Sequence, residues 1–222
     1  MGIGKFDLQD DYCFEYPTLA YENGINGKTL RYSKASMSDL VIFVEGNCRI
    51  TIEAKYTEFI EDSLYKPLLK EWLKGDSDKN HRRNIAQCWL NYICKNECCN
   101  VEDIEKLKDC DFFPYQFLHR TASACFNCDH PILIYQLFFD KDNIAQMKKF
   151  ESLLCECAKT LGLSKDKLPF YILEVEVDVK RTPKINDKKE SSSLFDKMKE
   201  NKQYCFSDDL KILNGYTLKE IC

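Results

Sequence analysis

S-D-L-V-I-F-V-E-G-N-C-R-I-T-I-E-A-K, residues 38 to 55, decides how this chain is read. An acid, Asp39, stands before the apolar run Leu40 to Val44. A turn signal, Glu45-Gly46-Asn47, follows, and then a second strand that ends in Glu-Ala-Lys. In that strand Ile50, Ile52 and Ala54 alternate with Arg49, Thr51, Glu53 and Lys55. The period is two, with one apolar and one polar face. Residues i and i+2 of a strand project together, so Glu53 and Lys55 share the polar face and Ala54 points away. A turn of Glu45, Gly46 and Asn47 pairs Val44 with Cys48, Ile42 with Ile50, Leu40 with Ile52, and Asp39 with Glu53. A two-residue turn at Gly46-Asn47 shifts the register by one and puts Asp39 on the wrong face. The pattern therefore predicts an odd-length turn or a bulge, and three-residue hairpins use Gly or Asn at their left-handed position.

Two carboxylates and a lysine at the end of a hairpin are the residue types of a metal-dependent phosphodiesterase. Carboxylates hold hard cations such as Mg2+ or Mn2+ through oxygen. Such a cation polarises a phosphate and activates water, and a lysine stabilises developing charge. On this reading Asp39 and Glu53 bind the metal and Lys55 positions the water. All three side chains are expected to face an open polar cleft, away from the core. An E-x-K on a solvated strand is common by itself. The acid at a register-compatible distance is what adds information.

The stretch resembles the active-site hairpin of the PD-(D/E)XK nuclease superfamily, the restriction-endonuclease-like fold. The acid, the Glu and the Lys of that motif correspond to Asp39, Glu53 and Lys55. Ser38 stands where the motif often has proline. The S-M-S-D…I-E-A-K block, with P-Y-Q-F-L-H-R-T-A-S-A-C-F and P-I-L-I-Y-Q-L-F-F, is similar to bacterial members of that superfamily. The resemblance covers about residues 36 to 139. It implies an α/β fold with a central mixed sheet flanked by helices, built as helix, three-stranded meander, helix and further strand. It also implies a Mg2+-dependent endonuclease acting on DNA. A glutamate from the first helix often reaches the metal in that superfamily, and Glu15 and Glu22 are both candidates, Glu22 being the choice for the metal set. A glutamine on the helix after the catalytic strand often supports the site, a part that falls to Gln87. The alternative is a catalytically silent nucleic-acid- or protein-binding module of the same fold.

At 222 residues the chain fits one domain, residues 1–222, with room for a sizeable core. Apolar residues make up 44% and charged residues 31%, and the net charge is −4. That excludes a bulk polycation, so a nucleic-acid enzyme of this charge must gather its basic residues locally. The start, M-G-I-G-K-F-D-L-Q-D-D-Y, has no apolar core of signal-peptide length, and no apolar run approaches a membrane span. A cytoplasmic protein is expected. The 13 cysteines are then free thiols, not a disulfide framework. Cys125-x-x-Cys128 near His130, the Cys94/Cys98/Cys99 group and Cys155/Cys157 do not form the paired knuckles of a zinc site, so no zinc is expected.

Elsewhere, residues 7 to 23 suggest a helix interrupted or started by Pro17. Residues 58 to 74 have helical spacing with a bend near Pro67, and 81 to 95 form a helix with Ile85, Trp89, Tyr92 and Ile93 inward. A short amphipathic helix covers 102 to 109 and another helix 115 to 126. In the latter, Arg120 sits among apolar neighbours and needs a carboxylate or several carbonyls, so it reads as a structural ion-pair residue first and a phosphate contact second. Pro131 to Phe139 reads as a strand buried on both faces. Residues 142 to 161 are a helix with Asp140 or Asp142 as N-cap and Gly162 as its stop. Phe170 to Val179 reads as an edge strand with Glu174, Glu176 and Asp178 solvated. Residues 180–202 read as a mobile basic loop, with nucleic-acid backbone contact as its functional reading. With no recognition domain evident, selectivity would lie in loops, in a homodimer partner or in another chain.

Overall fold

The computed structural model describes residues 12–23, 29–31, 35–55, 67–77, 81–179 and 210–221. Its elements are β1 (Tyr12–Thr18), β2 (Tyr21–Asn23), β3 (Thr29–Arg31), β4 (Ser36–Val44), β5 (Cys48–Lys55), α1 (Leu69–Lys74), α2 (Arg82–Lys95), α3 (Tyr115–Cys125), β6 (His130–Phe139), α4 (Ile144–Leu161), β7 (Phe170–Val179) and β8 (Leu210–Glu220). The fold is α/β, with a mixed six-stranded sheet ordered β1-β4-β5-β6-β7-β8 and flanked by helices. The β1–β4, β4–β5 and β7–β8 pairs are antiparallel, and β5–β6 and β6–β7 are parallel. β2 and β3 form a separate two-stranded ribbon.

The β4–β5 hairpin takes the predicted register. Val44 pairs with Cys48, Ile42 with Ile50 and Leu40 with Ile52. The turn is Glu45-Gly46-Asn47, with φ of 78° at Gly46 and 54° at Asn47. Gly and Asn tolerate that left-handed backbone best.

Parallel pairing of β5 with β6 demands a crossover, which α2 and α3 supply. Tyr135 of β6 meets Phe117 of α3 and Phe150 of α4, at ring-centroid distances of 6.1 and 6.3 Å. Both helices therefore cover the same face of the sheet. Leu133, Tyr135, Leu137, Phe170 and Ile172 are buried beneath Trp89, Leu90 and Ile93 of α2, Phe117 and Leu118 of α3, and Met147, Phe150 and Leu154 of α4. Burying a side chain of this size stabilises the fold by about 1.5–3 kcal/mol.

Several expectations change. Residues 12–18 and 21–23 are strands, not helix. Tyr12, Phe14 and Tyr16 are strand formers, and Pro17 is tolerated because β1 is the sheet's edge. The helical reading of 58 to 74 is described only from Pro67 on; residues 58–66 and the basic loop 180–202 lie outside the described residues. The short helix at 102 to 109 is a 3-10 turn, Ile104–Lys106, capped by the Asp103 carboxylate on the Glu105 N–H. β6 is buried on one face only, with Ile132 and Ile134 half-buried on the other. The N-cap of α4 is Asn143, one residue beyond Asp142, while Gly162 caps its C-terminus in the left-handed conformation. β7 is an interior strand, because β8 pairs along it. Glu174 is accordingly buried, with its Oε1 2.6 Å from Lys148 Nζ and 2.5 Å from Lys219 Nζ. No helix among the described residues is long and apolar enough to cross a membrane.

Candidate functional site

Arg49, Thr51, Glu53 and Lys55 line one face of β5, and that face is buried, at 7%, 1%, 1% and 3% exposure. The expected open cleft is thus a polar layer beneath α3. The cause is supplied by the helix. Arg49 Nη1 donates to the Phe126 carbonyl at 2.8 Å, and its guanidinium lies 5.3 Å from the Tyr16 ring and 5.5 Å from the Phe43 ring. Arg120 Nε sits 2.9 Å from Glu53 Oε2. Lys55 Nζ donates to Glu53 Oε1 at 2.7 Å. Glu53 is therefore held between a lysine two residues on and an arginine from another element.

Asp39 joins this group through the backbone. The β4–β5 ladder ends at Leu40–Ile52, so Asp39 does not pair with Glu53 in the regular way. Its Oδ2 instead accepts the Ala54 N–H at 2.7 Å, between Glu53 and Lys55. The strand changes hand here. Ser36 faces α3, because its hydroxyl meets His119 Nδ1 at 2.8 Å. Val41 also faces α3, because it pairs with Thr51 on the Glu53 face. Five residues separate them, and strict alternation would put them on opposite faces. An irregularity between them must reset the phase, as bulges do. On β1 the residue facing Asp39 drops out of the ladder, and this residue, Glu15, has φ of 52°. Glu15 is exposed.

Electrostatics follow from burial. Desolvation raises the Glu53 pKa, and the Asp39 charge adds to that, while Arg120 and Lys55 oppose it. The Tyr135 phenol, level with Glu53 on β6, is pushed well up by burial and then by the Glu53 charge. Burial takes His119 down to about 3, with the Arg120 and Lys55 charges acting the same way. His119 is thus neutral, and its Nδ1 shares a hydrogen bond with the Ser36 hydroxyl. Arg120 Nη1 donates to Ser36 Oγ at 3.2 Å and to the Met37 carbonyl. The expected need of Arg120 for a carboxylate and carbonyls is met. Ser38 Oγ, Thr51 Oγ1, Glu53 Oε2 and Arg120 Nε are buried without a hydrogen-bond partner. Arg120 and Glu53 are close enough for an ion pair but not aligned for a hydrogen bond.

The remaining expected residues stand elsewhere. Gln87 does not join the group. Its amide donates to Asn91 Oδ1 and the Glu102 carbonyl and accepts the Ile104 N–H, which ties α2 to the 3-10 turn. Glu22 lies on β2, opposite Leu30, and its side chain lies outside the described residues. His119 and Ser36 are not expected at the site from sequence, whereas Arg120 is expected first as an ion-pair residue and only second as a phosphate contact. Arg120, as a buried charge, carried the one signal that could have found them. Among the described residues no group of three His, Cys, Asp or Glu side chains could hold a metal ion. The described cysteines are free thiols, with Cys94 and Cys99 Sγ atoms 3.1 Å apart.

Residues 22–178, well over half the chain, match a family model described as a domain of unknown function, DUF6946. No match is found among curated proteins or among solved structures.

Proposed function

This chain belongs to the DUF6946 family, and we propose that its β4–β5 hairpin carries a site for Mg2+-dependent hydrolysis of phosphodiester bonds in DNA. The observation that carries the reading is the meeting of Asp39, Glu53 and Lys55. Lys55 bonds to Glu53, and Asp39 takes the N–H of the residue between them. Glu53 Oε2 is buried without a hydrogen-bond donor, and Asp39 raises the cost of ionising Glu53. Both facts suit a hard cation, which takes one or two carboxylates and completes its shell with water.

Asp39 and Glu53 would hold the ion. When bound, it would polarise the phosphate and activate water. Lys55 keeps its ammonium beside Glu53 and can donate toward charge developing on the phosphate. His119 and Ser36 orient Arg120, the nearest further cation for a phosphate oxygen. DNA as the substrate rests on the likeness to PD-(D/E)XK nucleases.

A second reading, a catalytically silent binding module of the same fold, is favoured by one observation. Glu53 and Lys55 are almost fully buried, and Arg120 closes over Glu53. A cleavage screen separates the two. Double-stranded, single-stranded and branched DNA, and RNA, are incubated with Mg2+ or Mn2+ and with chelator. Cation-dependent cutting of DNA supports the enzyme; cutting of none leaves the binding module.

A further inference from the structure

Asp39, Glu53, Lys55 and Arg120 carry two negative and two positive formal charges, so this group is already neutral without any ion. Arg120 stands against Glu53 Oε2, the oxygen that has no hydrogen-bond donor. The contact is an imperfect one. Its 2.9 Å separation lacks hydrogen-bond alignment, and the Arg120 Nε–H is itself unsatisfied. A buried ion pair offsets its desolvation only with good geometry and full hydrogen bonding. Ser38 Oγ and Thr51 Oγ1, on the same face of the sheet, are buried and unpartnered as well. Polar atoms orphaned together mark a place built for something more than the four charges.

We propose that Arg120 is a built-in counter-cation that keeps a divalent ion off Glu53 until a phosphodiester anion draws its guanidinium away. Cation and phosphodiester binding are then coupled, an inference that rests on the cation site proposed above. A divalent ion entering alone meets a neutral group and the positive Arg120. A phosphodiester supplies the missing negative charge and a planar partner for the guanidinium, which pairs with phosphate through parallel N–H donors. Because Nη1 is anchored on Ser36 and Met37, Arg120 can release Glu53 without leaving the site. Coupling is reciprocal, so the ion also strengthens the hold on phosphate.

The test is calorimetric titration of Mn2+ alone into wild type and Arg120→Gln, each with and without dimethyl phosphate. Arg120→Gln is expected to bind Mn2+ roughly 5- to 150-fold more tightly than wild type, the usual range for coupled sites. Dimethyl phosphate should tighten Mn2+ binding in wild type and leave the variant unchanged. Equal Mn2+ affinity in both proteins overturns the role of Arg120 while leaving the cation site standing. Binding to neither protein removes both. Should Arg120→Gln not fold, NMR of wild type under Mg2+ titration in the presence of dimethyl phosphate decides. The Ala54 amide reports on Asp39, and the Arg120 Nε–H reports on the ion pair. The two signals should move together; Ala54 moving alone refutes the coupling, and neither moving refutes the cation site as well.

Discussion

Lowering the pH should destabilise this protein through His119, and the size of the effect can be worked out. The ring is enclosed by Tyr115 and Trp89, at centroid distances of 4.9 and 6.3 Å, and faces Arg120. Its folded pKa is about 3, against about 6.5 in the unfolded chain. The unfolded chain therefore takes the proton first. The stability linked to His119 is fully present above about pH 6.5 and is lost as the pH falls toward about 3. Between about pH 7.5 and about pH 5.5 the loss is about 1.4 kcal/mol, with a ceiling of about 5 kcal/mol at lower pH. Urea unfolding of wild type and His119→Gln at the two pH values isolates this part, because the other titrating groups are common to both. Gln keeps a hydrogen-bonding partner for Ser36 but does not titrate. The wild type should lose about 1.4 kcal/mol more than the variant across that range. Equal losses would mean that His119 takes a proton in the folded state, and the account of a sealed polar layer under α3 would fail.

Lys55→Met should destabilise the fold by about 3 kcal/mol, because it strips one partner from a buried carboxylate. In urea unfolding the double variant Glu53→Gln/Lys55→Met should lose less than the sum of the two single variants, and strictly additive losses would contradict the pairing. Gly162→Ala should cost at least about 1 kcal/mol, since Gly162 has φ of 61° and an added Cβ would come 2.9 Å from the Asn100 side-chain nitrogen. An unchanged melting midpoint would sink that claim.

Much of the architecture is legible in the sequence because local chemistry sets it. Gly46 and Asn47 tolerate left-handed backbone, so turn length and hairpin register follow from residue types alone. The periodicity of α2, α3 and α4 and the stop at Gly162 are equally local. The illegible part is tertiary. Arg49, Thr51, Glu53 and Lys55 look like a solvated face, and the partners of Arg49 and Glu53 on and just beyond α3, far along the chain, are what the local pattern does not show. The break at Asp39 depends on β1, where Glu15 leaves the ladder, and nothing local marks it. Gln87 fits a supporting role by position alone, but its hydrogen bonds go to the neighbouring turn. β8 is hidden because Leu210–Glu220 contains Asn214-Gly215, a turn signal in the middle of a strand.

The central claim is that Glu53 is a cation ligand in a phosphodiester-cleaving site. Its most direct measurement compares wild type and Glu53→Gln, purified identically and equally folded by circular dichroism, on labelled DNA with Mg2+. The account predicts cutting by wild type, none with chelator, and loss of roughly 10²-fold or more in the variant. Equal cutting by both proteins, or none by wild type with either Mg2+ or Mn2+, would contradict it.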